Sequence, residues 1–322
     1  MFAVYADSFS LDDPLAGLVV GERPDPEVPD DWTTVEVRAS SLNHHDLWSL
    51  RGVGLREEAL PMILGCDAAG VDPEGNEVMV HAVIASDGWS GDETLDPKRT
   101  LLSELHPGTL AEKVAVPRRN LVPKPPSLSF REAACLPCAW LTAYRMLFTK
   151  GELLPGQTVL VQGATGGVAT AAVALGAAAG LRVWVTSRDE DKRARALELG
   201  ADAAFESGAR LPEKVDVVLE TVGEATWKHS LRSLRPGGAI VVSGATSGGN
   251  PPADLQRVFV LQLRVVGATM GNREELEQLG RLCETGGVRP VIDRVLPLAD
   301  AREGLAAMER GELFGKVVFD VA

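Results

Sequence analysis

A glycine-rich segment follows an apolar run in the middle of the chain. The residues Thr158 to Gln162 lead directly into GATGGVA, and an alanine-rich stretch comes next. Glycines in such a place let the backbone turn sharply and approach a pyrophosphate, whose charge is met by the N–H groups at the start of the following helix. The spacing differs from G-x-G-x-x-G, although Ala169 is a permitted third residue. A tight turn without a ligand is the alternative, but the strand-turn-helix context favours a phosphate site. The residues expected to form this site are Gly163, Gly166, Gly167 and Val168.

Basic residues stand where the next predicted strand ends. In an NAD-binding domain, an Asp or Glu about 20 residues beyond the glycines accepts hydrogen bonds from the ribose hydroxyls. Here Ser187 and Arg188 occupy that place, and Lys192 follows about one helical turn later. Arg and Lys can pair with a 2′-phosphate and Ser can hydrogen-bond it, so the pattern favours NADP(H) over NAD(H). The alternative is an ordinary solvated helix start, because acidic residues follow directly.

The segments around these motifs alternate between apolar strands and amphipathic helices. Short alternating runs broken by Pro, Gly and Asp predict a mostly β domain over residues 1–123. Over residues 124–270, the apolar segments VLVQG, RVWVTS, VDVVLETV and AIVVSG are separated by helical segments. This pattern predicts an α/β fold with a doubly wound parallel sheet. The tail adds a strand, a helix from about Ala299 to Arg310 and a terminal strand.

Composition and charge limit the classes of partner. The 322 residues carry a formal net charge of -13, which argues against nucleic acid and anionic membrane surfaces because both need clustered Lys and Arg. No apolar run approaches the roughly 20 residues of a membrane span, and the N-terminus lacks the pattern of a signal peptide. Four cysteines are too few and too scattered for a disulfide framework. We expect a cytoplasmic protein with reduced cysteines and a small-molecule substrate.

Several collinear segments carry a family resemblance. They are SLNHHDLW, LPMILGCDAAG, GTLAEKVAVP, LSFREAACLPCAWLTAYRML, VLVQGATGGVA, RALELGAD and LFGKVVFDV. With these segments the chain resembles the medium-chain dehydrogenase/reductase superfamily, which contains zinc alcohol dehydrogenases and quinone oxidoreductases. The resemblance implies a GroES-like catalytic domain over residues 1–123, a Rossmann NADP-binding domain over residues 124–270, and a return of residues 271–322 to the catalytic domain. It also implies a homodimer, often formed through edge strands of the nucleotide domain.

The resemblance raises the question of zinc. In zinc-dependent members a liganding Cys stands at the position of Asn43, and Gly-His-Glu stands where this chain has Gly65, Cys66 and Asp67. A further liganding Cys of some members falls close to Cys138. Cys66, Asp67, Cys138 and a nearby His could provide S, O and N donors, but Asn is a poor ligand and buried cysteines more often serve packing. We therefore expect no metal.

Further candidate residues come from positions matched to the family. Asn43 lies where the family places a residue facing the nicotinamide cleft, and its amide could donate a hydrogen bond to a developing enolate oxygen or serve only as a cap or turn residue. Asp46 is a second candidate catalytic residue, which could instead brace the cleft by hydrogen bonding. His44 and His45 offer proton-donor chemistry near neutral pH, although a surface or structurally satisfied His is commoner. The residues matched to cofactor-contacting segments are Thr142, Gly244 and Lys316.

The expected absence of zinc bears on the reaction. With no Lewis acid to stabilise an alkoxide, alcohol oxidation is harder to explain, and the resemblance points to zinc-free quinone oxidoreductases and enone reductases. We expect an NADPH-dependent oxidoreductase that transfers hydride to a quinone or an α,β-unsaturated carbonyl compound. Two alternatives stay open: a zinc-dependent alcohol dehydrogenase with atypical ligands, and an NADPH-binding protein without turnover.

Overall fold

The computed structural model describes residues 1–321, which divide into two compact units. One unit consists of Met1–Ala139 together with the chain from Asn272 onward, and the other consists of Trp140–Gly271. No helix among residues 1–321 is long and apolar enough to cross a bilayer.

Residues 1–321 form strands and α-helices, which are numbered here in chain order. The strands are β1 (Phe2–Ala6), β2 (Leu18–Glu22), β3 (Trp32–Ser41), β4 (Met62–Ile63), β5 (Ala68–Val71), β6 (Glu77–Val80), β7 (Val83–Ile84), β8 (Thr100–Leu101), β9 (Lys113–Pro117), β10 (Leu121–Pro123), β11 (Thr158–Gln162), β12 (Arg182–Thr186), β13 (Ala203–Phe205), β14 (Val215–Glu220), β15 (Leu234–Val242), β16 (Arg264–Gly267), β17 (Ile292–Pro297) and β18 (Lys316–Asp320). The α-helices are α1 (His44–Leu50), α2 (Phe130–Ala133), α3 (Leu141–Tyr144), α4 (Gly167–Ala178), α5 (Glu190–Glu198), α6 (Glu224–Ser233), α7 (Leu255–Val260), α8 (Arg273–Gly286) and α9 (Ala301–Glu309).

The first unit is mostly β, as the short alternating runs predict. Its largest sheet has the order β10-β6-β5-β3-β18-β17, with β9 also paired to β3. The long strand β3 alternates buried and more exposed residues along most of its length, which is the pattern of a strand with one face on a core. The strand β18 pairs antiparallel with the end of β3, where Val318 faces Ser41. This pairing brings the C-terminal strand beside α1, the helix that follows β3.

The second unit contains a six-stranded sheet in the order β13-β12-β11-β14-β15-β16. Every neighbouring pair in this sheet is parallel. All five residues of β11 are buried, as expected for a central strand covered by helices on both faces. On one face Trp227 and Leu231 of α6 pack against Leu160, Val218 and Ile240 of the sheet. The predicted doubly wound parallel sheet and the α/β fold class are confirmed.

The boundary between the compact units differs from the sequence-based expectation. The first unit extends to Ala139, so residues 124–139 belong to it and not to the nucleotide-binding unit. Side chains of the β domain contact this segment: the hydroxyl oxygen of Ser41 lies 3.0 Å from Ala134 O, and Lys124 pairs with Glu77 at 3.0 Å. The helical character of the segment suggested a new domain, but its contacts are with the sheet of the first unit.

Candidate functional site

The glycine-rich turn joins β11 to α4 in the second unit. Gly163 has a φ of +86°, a left-handed conformation that glycine adopts without strain. Gly166 is the N-cap of α4, and Gly167 begins the helix. A Cβ built on Gly166 would meet no atom within 4 Å, so the helix start is open to a ligand. The strand-turn-helix context that the motif requires is present, and Val168 lies in the first turn of the helix.

The basic cluster follows β12. Ser187 is buried and accepts a hydrogen bond from the backbone N–H of Asp189, which caps α5. Arg188 is exposed and Lys192 is half-buried. A third cation, Arg193, donates from Nη1 to Ser187 O at 2.8 Å. Sequence reasoning missed Arg193, although its position beside Lys192 near the start of α5 is a usable signal.

Two polar side chains connect the glycine turn to the basic cluster. The hydroxyl of Thr186, the last residue of β12, donates to Oε1 of Gln162 at 2.7 Å. The N–H of Gly163 donates to the same hydroxyl at 3.4 Å. The two loops that follow β11 and β12 are therefore tied together at their first residues.

The remaining predicted cofactor contacts of the second unit lie on α3 and after β15. Thr142 is buried in α3. Gly244 lies on the loop after β15 and lines a cavity of about 330 Å³ that is also lined by Glu220, Gly223 and Ala245. Cofactor contact at Thr142 and Gly244 stays a prediction.

A buried charge cluster lies in the first unit beside the start of α1. The ammonium nitrogen of Lys316 donates to Leu42 O at 2.5 Å, Asn43 Oδ1 at 2.7 Å and Asp67 Oδ2 at 3.0 Å. Burial opposes the charge, but the attraction of Asp67 and of nearby thiols outweighs it, so the pKa of Lys316 is raised. All three N–H bonds of the ammonium are taken. The side chain of Lys316 is buried, and its direct contact with the cofactor stays a prediction.

Asn43 and Asp46 are brought together at the N-terminus of α1. Asn43 is the N-cap residue, and its side-chain nitrogen donates to Asp67 Oδ2 at 2.8 Å. Asp46 accepts hydrogen bonds from the backbone N–H groups of Asn43 and Gly65 at 2.8 and 2.9 Å. Burial raises the pKa of Asp46, whose side chain has no exposure. These contacts match the bracing alternative for Asp46. The amide of Asn43 carries a second N–H, and its contact with a substrate oxygen stays a prediction.

The two histidines of α1 have different surroundings. His44 is exposed. The Nε2 atom of His45 lies 3.0 Å from the buried hydroxyl of Ser103 and 3.9 Å from Glu104. Burial raises the pKa of Glu104. The half-buried His45 is thus hydrogen-bonded within the protein, as a structurally satisfied histidine would be.

The candidate zinc donors are engaged in contacts within the first unit. The thiol of Cys66 donates to Leu102 O at 3.4 Å, so it is hydrogen-bonded within the first unit. Asp67 Oδ1 has no hydrogen-bond partner within residues 1–321, but its Oδ2 is engaged by Lys316. In the same range, no three His, Cys, Asp or Glu side chains are grouped to hold a metal ion. The residues present do not fit zinc.

Two family models match the chain. The model described as "Alcohol dehydrogenase GroES-like domain" matches residues 29–126, and the model described as "Zinc-binding dehydrogenase" matches residues 167–285. Among curated proteins, an acryloyl-coenzyme A reductase of Sulfurisphaera tokodaii is 29% identical over 95% of this chain and 97% of its own length. A 2-methylene-furan-3-one reductase of Solanum lycopersicum is 30% identical over 91% of this chain and 72% of its own length.

Solved structures agree with these matches. An NAD-dependent alcohol dehydrogenase is 34% identical with a TM-score of 0.92, and the match covers 100% of both chains. The 2-octenoyl-CoA carboxylase reductase CinF, solved in complex with NADP and 2-octenoyl-CoA, is 25% identical with a TM-score of 0.91 over 99% of this chain and 87% of its own. The matches span both units of this chain. The chain therefore belongs to the medium-chain dehydrogenase/reductase superfamily of oxidoreductases.

Proposed function

We propose that this protein uses NADPH to reduce an α,β-unsaturated carbonyl compound or a quinone. The observation that carries the proposal is the cluster of Lys316, Asn43 and Asp67, in which an ammonium group engages the carboxylate that a zinc ion would otherwise use. An enone or quinone accepts hydride at an electron-poor carbon and needs no metal-bound alkoxide. The names of acryloyl-coenzyme A reductase and 2-methylene-furan-3-one reductase support the unsaturated carbonyl class.

The cofactor preference rests on the residues after β12. Arg188 and Lys192 provide two cations and Ser187 a hydroxyl, while Arg193 fixes the backbone of Ser187. A 2′-phosphate would form charge-assisted hydrogen bonds with such groups. The NADP complex of CinF supports this preference, and the NAD-dependent alcohol dehydrogenase similar to this chain makes NADH the necessary comparison.

In this proposal the bound cofactor supplies the hydride, and the side chains of the first unit bind and polarise the substrate. The free N–H of Asn43 donates to the carbonyl oxygen, where negative charge develops during reduction. Lys316 and Asp67 hold that amide in place by occupying its other atoms. Asp46 acts as a positioning residue, because it fixes the backbone on which Asn43 stands. The proton that completes the reduction comes from solvent, because desolvation and nearby positive charges lower the pKa of His44 and disfavour its protonated form.

The test is NADPH oxidation by purified protein with crotonyl-CoA, a simple enone and 9,10-phenanthrenequinone, with and without a chelator. We expect chelator-insensitive turnover with at least one of these acceptors. Replacement of Arg188 by Ala should lower kcat/KM for NADPH by about 10- to 100-fold, which corresponds to the loss of one charge-assisted hydrogen bond. The value of kcat/KM for NADH should stay nearly unchanged. Arg195→Ala, on the exposed part of α5, is the matched control.

Three outcomes would contradict the proposal. Turnover that is lost on chelation would favour a zinc alcohol dehydrogenase with atypical ligands. Tight NADPH binding without oxidation by any acceptor, aldehydes included, would favour a binding protein without turnover. A preference of the wild-type protein for NADH would rule out the 2′-phosphate site.

We further propose that the protein forms a homodimer through the second unit. Strand β16 lies at the edge of the parallel sheet, where an unpaired row of N–H and C=O groups can accept another strand. Exposed apolar side chains concentrate on this strand and on the preceding helix α7: Leu255, Phe259, Val260 and Val265. Pairing of β16 with its copy would form a symmetric interface that covers them. A cytoplasmic location stays a prediction.

A further inference from the structure

A buried carboxylate stands at the end of β14 in the second unit. Glu220 has no exposed surface. Its Oε1 accepts hydrogen bonds from the N–H groups of Val222 and Gly223 and from the hydroxyl of Thr226, at 2.9, 3.0 and 2.8 Å. Its Oε2 accepts from the hydroxyl of Ser230 at 2.6 Å. Donors on both oxygens are the surroundings that an ionised carboxylate requires.

The charge of Glu220 is not balanced by a cation. Throughout the described chain, residues 1–321, the ion pairs of the structure include no partner for this carboxylate. The donors around it are two backbone N–H groups and two hydroxyls, all of them neutral. A negative charge that is shielded from water and paired with no cation acts on its surroundings more strongly than a surface charge does.

Glu220 lies at the edge of the sheet where ligands are expected to bind. Glu220 lines the cavity that is also lined by Gly244 and Ala245, on the loops that follow β14 and β15. Ligands of open α/β sheets bind outside the carboxyl ends of the strands. The expected nicotinamide contact, Gly244, is part of the same cavity wall. The carboxylate therefore lies on the side of the sheet where the cofactor ring is expected.

A hydrogen-bond chain fixes the carboxylate relative to the cofactor loops. The hydroxyl of Ser230, which donates to Glu220, accepts from Nε2 of Gln162 at 2.9 Å. Gln162 in turn accepts from Thr186 at 2.7 Å. These residues end β11 and β12 and directly precede Gly163 and Ser187. The charge is thus held in a rigid relation to both predicted phosphate-binding loops.

We propose that Glu220 is a positioning residue that also sets the relative affinity for oxidised and reduced cofactor. The nicotinamide ring carries a positive charge in NADP⁺ and none in NADPH, so an uncompensated carboxylate nearby stabilises the bound oxidised form selectively. This inference rests on the proposed NADPH-dependent function. It makes the bound reduced cofactor a stronger hydride donor than it is in water.

The experiment measures the Kd of NADP⁺ and of NADPH separately, by calorimetry, for the wild-type protein and two variants. Glu220→Gln removes the charge and keeps the shape, and we expect it to raise the ratio of Kd for NADP⁺ to Kd for NADPH by about tenfold. Ser230→Ala removes one donor and keeps the charge, so it should move both Kd values together and leave the ratio unchanged.

An unchanged ratio in Glu220→Gln, with both Kd values raised, would overturn the inference and leave a structural role only. If that variant does not fold, Glu220→Asp withdraws the carboxylate by one methylene group and should shift the ratio in the same direction by a smaller factor. An unchanged ratio of the two Kd values in Glu220→Asp would also overturn the inference. Failure of the wild-type protein to bind either cofactor would instead overturn the proposed function itself.

Discussion

Lys316 Nζ lies 3.0 Å from Asp67 Oδ2, although 249 positions separate the two residues in the chain. Both side chains are buried, and the same carboxylate oxygen also accepts from Ser41 and Asn43. The pair joins the C-terminal strand β18 to the segments before and after α1. It connects the late part of the chain to the amide of Asn43 on which the proposed substrate contact depends.

Lys316→Met should destabilise the protein strongly. The substitution leaves the carboxylate of Asp67 buried without its cation, and breaking a buried pair in this way costs about 3–5 kcal/mol of unfolding free energy. Urea unfolding of the wild-type protein and the variant, followed by circular dichroism, measures the difference. The double variant Asp67→Asn with Lys316→Met removes both charges and should recover at least half of the loss.

The control for this prediction is an exposed ion pair. Arg310 and Glu312 lie on the surface with their charged atoms 2.5 Å apart, and an exposed pair of this kind contributes less than about 1 kcal/mol. Arg310→Met should therefore change the unfolding free energy little. Equal losses for Lys316→Met and Arg310→Met would show that the Lys316 pair is exposed to solvent in the folded protein.

The buried pair of Lys316 and Asp67 predicts that the stability of the protein falls at alkaline pH. The folded-state pKa of Lys316 is raised: burial opposes the charge, but Asp67 and nearby thiols outweigh that effect. A group whose pKa is raised on folding stabilises the protein fully below its ordinary pKa of about 10.4 and loses that contribution as the pH rises through the folded-state value. The difference in unfolding free energy between the wild-type protein and Lys316→Met should therefore be constant from neutral pH to about pH 10 and shrink above it. A difference that shrinks below pH 9 would contradict the raised pKa.

Gly166→Ala tests the pyrophosphate site without disturbing the fold. A Cβ at this position meets no atom within 4 Å, and its φ of −68° and ψ of 164° suit any L-residue. The change at the N-cap of α4 should cost no more than about 1 kcal/mol of unfolding free energy. The added methyl group occupies the space through which a pyrophosphate approaches the backbone, so the Kd for NADPH should rise about tenfold or more.

The matched control for Gly166 is Gly21 in the first unit. A Cβ on Gly21 also meets no atom within 4 Å, so Gly21→Ala adds the same methyl group at a site with no expected ligand. Its Kd for NADPH should equal that of the wild-type protein. Unaltered NADPH binding by Gly166→Ala would mean that the glycine turn does not hold the pyrophosphate.

Val265→Lys tests the proposed dimer. Val265 is 52% exposed on the edge strand β16, and a lysine there places a charge opposite its copy across a symmetric interface. Light scattering should show a dimeric wild-type protein and a monomeric variant, with similar unfolding free energies per chain. Val53→Lys, at a position that is also 52% exposed but lies in the first unit, should remain dimeric. A wild-type protein of monomer mass would contradict the proposal directly.

Local patterns in the sequence predicted the elements well. The strand predicted at Thr158 to Gln162 has those bounds in the structure, and the helix predicted from about Ala299 to Arg310 spans Ala301–Glu309. Both depend on periodicity and neighbouring turn residues, which are local properties of the chain. The first compact unit extends to Ala139, beyond the boundary expected from helical character, because the contacts that assign residues 124–139 to this unit are distant in sequence.

The polar networks could not be predicted in the same way. Lys316 was expected to contact the cofactor, but its partners Leu42, Asn43 and Asp67 become visible only when β18 is paired with β3. Glu220 and Gln162 gave no signal, since a single polar residue at the end of an apolar strand resembles an ordinary strand end. The connection between Glu220 and Gln162 depends on Ser230 of α6, whose hydroxyl lies between them.

The place of β18 in its sheet has a consequence for synthesis on the ribosome. The second unit comes from one continuous stretch, Trp140–Gly271, and can fold as soon as that stretch has emerged. The first unit cannot complete its fold at that stage, because its strand β18 lies between β17 and β3 and consists of residues 316–320. The side of β3 that pairs with β18 therefore has no native partner during most of translation, and the nucleotide-binding unit is expected to be complete before the unit that begins the chain.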